Sequence, residues 1–359
     1  MSLFHEIKIK EVIKETSDAS TLVFEIPEQL KETFQYKAGQ YVTISISVRA
    51  KEERRAYSFS SSPFTDKNLA ITVKKVEDGA VSPILNDRMH AGDTVLLMPP
   101  MGKFTVELSA EQQKHYILFG GGSGITPLFS ILKSVLNQEP RSSVSLVYAN
   151  RNKESIIFDQ QLQELASQFN NRLRIVSILE ESYVGYEGLT GRLEASEYAE
   201  IAKQESKTNW ENEYFICGPS GMMEQVKRGL ESLNIKKEKI NLEYFSAPSA
   251  SPTEPVPIIP SGESQDESGK HFVDIEFNGK YFHIEIAKGQ TILDAAKEQD
   301  VDPPYACQMG ICTTCRAKLL EGSTRMDERE GLSDSEIADG YILTCQAHPT
   351  SGHIKIKYE

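Results

Sequence analysis

Four of the chain's five cysteines fall in one C-terminal pattern: Cys307-x4-Cys312-x2-Cys315, followed by Cys345 after 29 further residues. Three closely spaced thiols and one distant one require a loop that curls around a centre and a later segment that returns to it. This is the spacing that holds a [2Fe–2S] cluster, in which four thiolates ligate two bridged irons. Gly310 lets the loop backbone approach closely, and peptide N–H groups there can hydrogen-bond the sulfurs. A structural zinc site favours two C-x2–4-C pairs over three ligands plus one, so zinc and metal-free thiols are the alternatives.

The flanks predict a small fold around that loop. FVDIEF and YFHIEIA are joined by Asn278-Gly279, a hairpin signal, and TILDAAKEQ reads as a short helix capped by Thr291. Upstream, five of the sixteen prolines (248, 252, 255, 257 and 260) crowd into thirteen residues, with a Ser/Glu/Asp-rich stretch after them. No apolar period survives there, which predicts a semi-extended linker over 246–270.

The part before the linker divides by pattern. Up to about Phe104, short alternating runs (EIKIKEVI, TLVFEI, YVTISISV, LAITVKKV, TVLLMPP) predict an antiparallel β-barrel or sandwich. From His115, strand-like runs alternate with amphipathic helices, which predicts a doubly wound parallel α/β sheet. The expected organisation is therefore 1–108, 109–245, the linker 246–270 and 271–359. Asp and Glu total 52 against 39 Lys and Arg, a formal net charge of −13. That argues against a nucleic acid or an anionic membrane as main partner. The N-terminal MSLFHEIKIK carries Glu6, Lys8 and Lys10 where a signal peptide needs an apolar core. The longest charge-free apolar run, Tyr116 to Leu132, is broken by four glycines and Pro127, so a cytoplasmic protein without a membrane span is expected.

Two further constellations carry chemistry. Arg55-Ala56-Tyr57-Ser58 is expected at the start of a strand, after an exposed charged turn. There an Arg can neutralise a pyrophosphate, a Tyr can pack on a flavin, and a Ser hydroxyl can bond flavin N5. Gly79-Ala80-Val81-Ser82 then feeds a short helix, SPILNDRMH, a second phosphate site or an ordinary Ser-capped turn. In HYILFGGGSGITP, Gly120, Gly121, Gly122 and Gly124 separate a buried strand from a helix. They let a dinucleotide pyrophosphate reach the helix N-terminus, or else make a tight connection. Thr126 and Pro127 open that helix, so the pattern is G-x-G-x-x-P. Cys217-Gly218-Pro219 ends a later strand at the same carboxyl edge, where open α/β sheets bind ligands. Cys217 could instead be a small buried hydrophobe.

R-x-Y-S, G-x-x-S, G-x-G-x-x-P and C-G-P, in this order over residues 3–245, resemble the ferredoxin–NADP reductase superfamily. Residues 271–359 resemble a plant-type ferredoxin domain of β-grasp fold. The resemblance implies FAD, held by Arg55, Tyr57, Ser58, Gly79 and Ser82, since the G-x-x-S helix serves a pyrophosphate that FMN lacks. It implies NAD(P)H at Gly120, Gly122, Gly124, Thr126, Pro127, Cys217, Gly218 and Pro219. It also makes Cys307, Cys312, Cys315 and Cys345 the [2Fe–2S] ligands. In Leu242-Glu243-Tyr244-Phe245 it gives Glu243 an assisting role and Phe245 the flavin face, where plant enzymes have tyrosine. Hydride transfer from NAD(P)H to the flavin beside Ser58, Cys217 and Glu243 would then feed single electrons to the cluster.

The order reductase-then-ferredoxin resembles reductase components of multicomponent oxygenases. The stretches LVYANRN, FICGPSGMM and PYACQMGICTTC look like the phenylacetyl-CoA epoxidase kind, which implies a di-iron oxygenase component as electron acceptor and a place in phenylacetate catabolism. Another oxygenase or hydroxylase, or an electron-carrying sensor without hydride chemistry, are the alternatives. For the coenzyme, strand SLVYA ends in Asn150-Arg151-Asn152-Lys153 with no carboxylate until Glu154. Arg151 is the candidate grip for a 2′-phosphate, which favours NADPH while leaving NADH possible.

Overall fold

Alternating apolar positions near the N-terminus bury one face of each strand, and the first sheet follows from that pattern. In the computed structural model, which describes residues 3–245 and 271–358, β1 (His5–Thr16) and β2 (Ala19–Glu25) form a hairpin. β3 (Tyr41–Val48), β4 (Lys51–Ser58) and β5 (Ala70–Lys74) follow, then helix α1 (Ser82–Asp87) and β6 (Thr94–Leu97). The sheet order is β4-β3-β6-β1-β2-β5, antiparallel throughout. Ile7, Ile9, Leu22, Phe24, Val42, Ile44 and Ile71 fill its core. The end strands β4 and β5 are joined by a single bridge, Phe59 to Ile71. No ladder joins the two end strands, so the sheet is antiparallel as expected but is not a closed barrel.

One sequence expectation is corrected here. Arg55–Ser58 close strand β4 instead of opening it. The turn before β4 is Arg49-Ala50, both at positive φ (50° and 65°), and pairing runs unbroken from Val48↔Lys51 to Tyr41↔Ser58. β4 is an edge strand, so the charged Lys51 and Glu52 stay exposed while the backbone pairs on one side only. Charge at those positions disguised a strand as a turn.

The parallel half alternates as expected: β7 (Lys114–Gly121), α2 (Ile125–Gln138), β8 (Ser143–Asn150), α3 (Asp159–Gln168) and β9 (Leu173–Leu179). Then come the two-residue β10 (Leu189–Thr190), α4 (Ala195–Glu205), β11 (Glu211–Gly218), α5 (Ser220–Ser232) and β12 (Ile240–Tyr244). The order β10-β9-β8-β7-β11-β12 puts β7 at the centre, with β8 on one side and β11 on the other. The chain winds outward from β7 and returns to its far side, so the strand order switches at the carboxyl end of β7, where such sheets open a ligand crevice. Helix α2 docks on the flavin-side sheet. Ser130 Oγ donates to Ser61 O at 2.6 Å, Ser62 and Ser134 hydroxyls meet at 2.8 Å, and Lys133 pairs with Asp66 at 2.6 Å. Both halves belong to one contact unit that ends at Phe245.

The expected linker, 246–270, lies outside the described residues. The second unit contains β13 (His271–Phe277), β14 (Lys280–Ile286), α6 (Ile292–Glu298), β15 (Arg316–Glu321) and β16 (Thr324–Met326). α7 (Asp334–Ala338), β17 (Tyr341–Leu343), β18 (Ala347–Pro349) and β19 (His353–Tyr358) complete it. Its main sheet runs β14-β13-β19-β15-β17, with β13 and β19 parallel and the other pairs antiparallel. The Asn278-Gly279 turn has both residues at positive φ, as a two-residue hairpin demands. Thr291 caps α6 by accepting from the Asp294 N–H at 3.1 Å. Among the described residues, no helix is long and apolar enough to cross a membrane.

Candidate functional site

Register brings the nucleotide motifs together. Gly120 on β7 lies opposite Cys217 on β11, and Cys217 lies opposite Glu243 on β12. Gly122 bends the chain at φ +51°, and a short 3-10 turn leads into α2. A methyl group on Gly124 would sit 2.1 Å from the Cys217 carbonyl oxygen, and one on Gly121 would sit 2.6 Å from Pro219 Cδ. Both glycines are therefore there because the two turns press against each other. Pro127 lies in the first turn of α2, where its missing N–H has no helical partner to lose. Thr126 is buried and donates to Ser123 O at 3.1 Å. A helix N-terminus such as that of α2 is where an anion is stabilised.

Beside this turn lies a pocket of about 540 Å³ lined by Gly121, Gly122, Arg151 and Pro219. Arg151 lines this pocket, exposed just beyond the end of β8. Reading the sequence missed four charged groups of the same pocket: Lys74, Glu180, Arg192 and Glu194. Lys74, from the flavin-side sheet, reaches to 3.8 Å from where a Gly122 side chain would begin. Glu180 follows β9 and pairs with Arg192 at 3.2 Å. The sequence reading looks for a carboxylate after the second strand of the fold, whereas Glu180 follows the third. A glycine followed by an arginine, Gly191-Arg192, was the available signal, and the structure places it directly after β10.

Two groups at the inner end of this edge are held neutral. Burial pushes the Glu243 carboxyl up to about 8. Burial, reinforced by Glu243, pushes the Cys217 thiol well above its ordinary value. Tyr244 is buried, whereas Phe245 is 38% exposed at the end of the unit.

The flavin-side residues form a second cluster. Ser58 is buried and Tyr57 half-buried, and desolvation raises the Tyr57 hydroxyl so that it stays protonated. Arg55 pairs with Glu53 at 3.0 Å and donates to Arg54 O. Its neighbour Arg54 is the buried one, held by Glu52 at 2.7 Å over the Phe4 ring. Gly79 packs 2.9 Å (as a would-be methyl) from Ser82 Oγ, which accepts from the Val76 N–H at 3.0 Å. The Ser82 hydroxyl thus ties its own loop instead of capping the helix, and Ser82 is the first residue of α1.

The third cluster is the cysteine loop. Gln308 and Gly310 take positive φ, and a methyl on Gly310 would meet Glu328 Cβ at 2.7 Å. The Gly331 N–H clamps the loop by donating to Gly310 O at 2.8 Å. The thiols interact in two pairs, Cys307 with Cys312 and Cys315 with Cys345. Cys312 pulls Cys307 down to about 6, aided by loop N–H groups including Met309 at 3.3 Å, and Cys312 itself is pushed up. Cys345, and then burial, push Cys315 up. Thr344 ties this second pair, its N–H and hydroxyl both donating to Cys315 O, while Tyr358 donates to Thr344. Four converging thiols, a positive-φ loop and N–H groups aimed at sulfur fit a [2Fe–2S] cluster by donor chemistry alone. Gly331 and Thr344 carry no metal-binding signature, so they were invisible in the sequence.

Family models match all three parts: an oxidoreductase FAD-binding domain over 6–106, an oxidoreductase NAD-binding domain over 118–228, and a 2Fe-2S iron-sulfur cluster binding domain over 275–350. One subunit of the 1,2-phenylacetyl-CoA epoxidase from Escherichia coli K12 is 32% identical over 100% of the chain and 99% of that protein. The chain belongs to the ferredoxin–NADP reductase superfamily, in its branch with a C-terminal [2Fe–2S] domain. It is an oxidoreductase that uses FAD, a [2Fe–2S] cluster and a pyridine nucleotide. The ferredoxin reductase component of 3-ketosteroid-9-alpha-monooxygenase from Rhodococcus rhodochrous is 36% identical, over 98% of the chain and 96% of that protein. Among solved structures, phthalate dioxygenase reductase covers 99% of this chain and 98% of its own, with TM-score 0.59 and 21% identity, and so supports the fold.

Proposed function

We propose that the chain is the reductase component of a multicomponent oxygenase, drawing electrons from NAD(P)H in the cytoplasm and delivering them to an oxygenase protein. The observation that carries this reading is likeness over the whole length to relatives named as such components or subunits. The acceptor we favour is an oxygenase of the phenylacetyl-CoA epoxidase kind. The 36% identity to the ketosteroid monooxygenase reductase supports a second acceptor class. Mixing the purified chain and NAD(P)H with each oxygenase component tests this. Substrate turnover with the epoxidase alone supports the first reading, and turnover with neither overturns both.

The FAD would take electrons from nicotinamide in pairs and the cluster would pass them singly. Within the reading, Arg55 leaves Glu53 to pair with the FAD pyrophosphate, Tyr57 packs on the flavin, and Gly79 and Ser82 shape the second phosphate turn. Ser58 offers its hydroxyl to the flavin and Phe245 covers its face. Gly120, Gly122 and Gly124, with Thr126 and Pro127, form the turn that receives the pyridine-nucleotide pyrophosphate. Gly218 and Pro219 wall it, and Arg151 grips a 2′-phosphate, which makes NADPH the preferred coenzyme.

Cys217 and Glu243 line the nicotinamide side. Because both stay uncharged near neutral pH, neither places an anion there that would favour the cationic, oxidised ring before reaction. Cys307, Cys312, Cys315 and Cys345 ligate the cluster. The domain boundaries near 108, 245 and 271 are part of the same proposal, supported by the three matched ranges.

A further inference from the structure

The outer face of the iron–sulfur module's sheet carries a cluster that none of the chemistry above uses. Asp274 on β13 lies directly opposite His283 on β14, and His353 stands on β19, the other neighbour of β13. The single carboxylate faces both rings, one oxygen to each: Oδ1 lies 2.7 Å from His283 Nδ1 and Oδ2 lies 2.9 Å from His353 Nε2. All three donor atoms lie within 4.8 Å of one another. The rings are also oriented before any ligand arrives. His283 stacks on Phe272 at 5.4 Å and 8°, and on His353 at 6.4 Å and 27°. The neighbouring charges are engaged elsewhere, with Lys355 4.0 Å from Glu321 and Lys357 2.7 Å from Glu276.

We propose that Asp274, His283 and His353 form a second metal site, which takes one borderline divalent cation such as Zn²⁺ or Ni²⁺. Two imidazoles and a carboxylate are the donor set such ions select, and the exposed face leaves positions for water. Donors bound at 2.0–2.2 Å in a tetrahedron stand about 3.3–3.6 Å apart. The two N–O contacts must open by about half an ångström and the two nitrogens close, movements within reach of χ rotation on side chains that are 40–62% exposed. The ion would displace the protons that now bridge carboxylate and rings. It would also cross-link three strands, tying the hairpin that opens the module to the strand that closes it.

The test is calorimetric titration of Zn²⁺ into the untagged full-length protein loaded with flavin and cluster, with the visible spectrum watched for cluster loss. One equivalent should bind, and Asp274→Asn, His283→Gln and His353→Gln should each weaken it at least about ten-fold, since losing even an outer-shell partner costs 10–100-fold. The three side chains pack no core, so an unchanged cluster spectrum verifies that each variant is folded. X-ray absorption at the zinc edge should give two imidazoles and oxygen. Absence of a stoichiometric site, sulfur in the zinc shell, or wild-type affinity in all three variants would overturn the proposal.

Discussion

At the C-terminal cysteine loop, Cys345 joins the loop's three thiols and the Met309 N–H points at sulfur. At the carboxyl edge of the parallel sheet, the groups proposed to meet the nucleotide are mostly backbone: Gly122, Gly124 and the first turn of α2, with two neutral side chains, Cys217 and Glu243, at the inner end. The first is proposed to work through side chains that bond metal, and the second through an absence of side chains where two turns touch. A ligand site fails when a donor is removed, and a backbone site fails when an atom is added.

Removing a donor should have the larger effect. Cys312→Ser should abolish the cluster's visible and paramagnetic spectra and reduce one-electron output to background. FAD should remain bound and reducible by NAD(P)H, because the flavin core is built from other strands. A normal cluster in this variant would break the comparison at its root. Adding an atom comes next. Gly124→Ala drives a methyl to 2.1 Å from the Cys217 carbonyl, where only backbone can yield. The expected penalty is at or above the upper end of overpacking, about 3 kcal/mol. It should appear as a fall in kcat/KM for NAD(P)H with cluster and flavin content unchanged, and normal kinetics would mean that this turn does not hold the nucleotide.

Arg151→Ala sharpens the comparison by testing a side chain inside the backbone site. Losing one charge-assisted contact is worth about 1.5–3 kcal/mol. The KM for NADPH should rise roughly ten- to hundred-fold and that for NADH hardly at all. A wild-type preference for NADH would assign the pocket to Glu180 instead, since a carboxylate suits a ribose 2′-hydroxyl.

The smallest effect concerns Glu243. Its carboxyl is raised to about 8 by burial, so between the ordinary carboxylate range near 4.5 and about 8 the folded state holds a proton that the unfolded state has released. Stability therefore falls as pH rises through that window and levels off above it. Glu243→Gln should remove this slope. Discounted for the partial exposure of the side chain, the change is of order 1 kcal/mol, or about 2–4 °C in melting temperature for a unit of this size. Parallel melting curves of wild type and variant across pH 5 to 8 would refute it.

The sequence by itself determined the order of the parts and the chemistry of the cluster. Thiolate ligands are specified by residue type and spacing, and hydrophobic periodicity separates alternating strands from the βα repeats of the parallel sheet. It also marked Gly122, Gly124 and Cys217, because glycine and a strand-ending C-G-P stand out locally.

What only the tertiary structure decided were relations across the sheets. That Gly124 is pinned by the Cys217 carbonyl depends on β7 and β11 becoming neighbours, which no local pattern encodes. That Arg55–Ser58 ends a strand depends on β4 being an edge whose charges can remain in water. Lys74, Glu180 and Arg192 reach one pocket from three separate stretches, and Asp274, His283 and His353 meet because parallel pairing puts the last strand beside the first of its sheet. Pairing between distant strands is set by how the cores pack as a whole, so the groups it brings together carry no common signature along the chain.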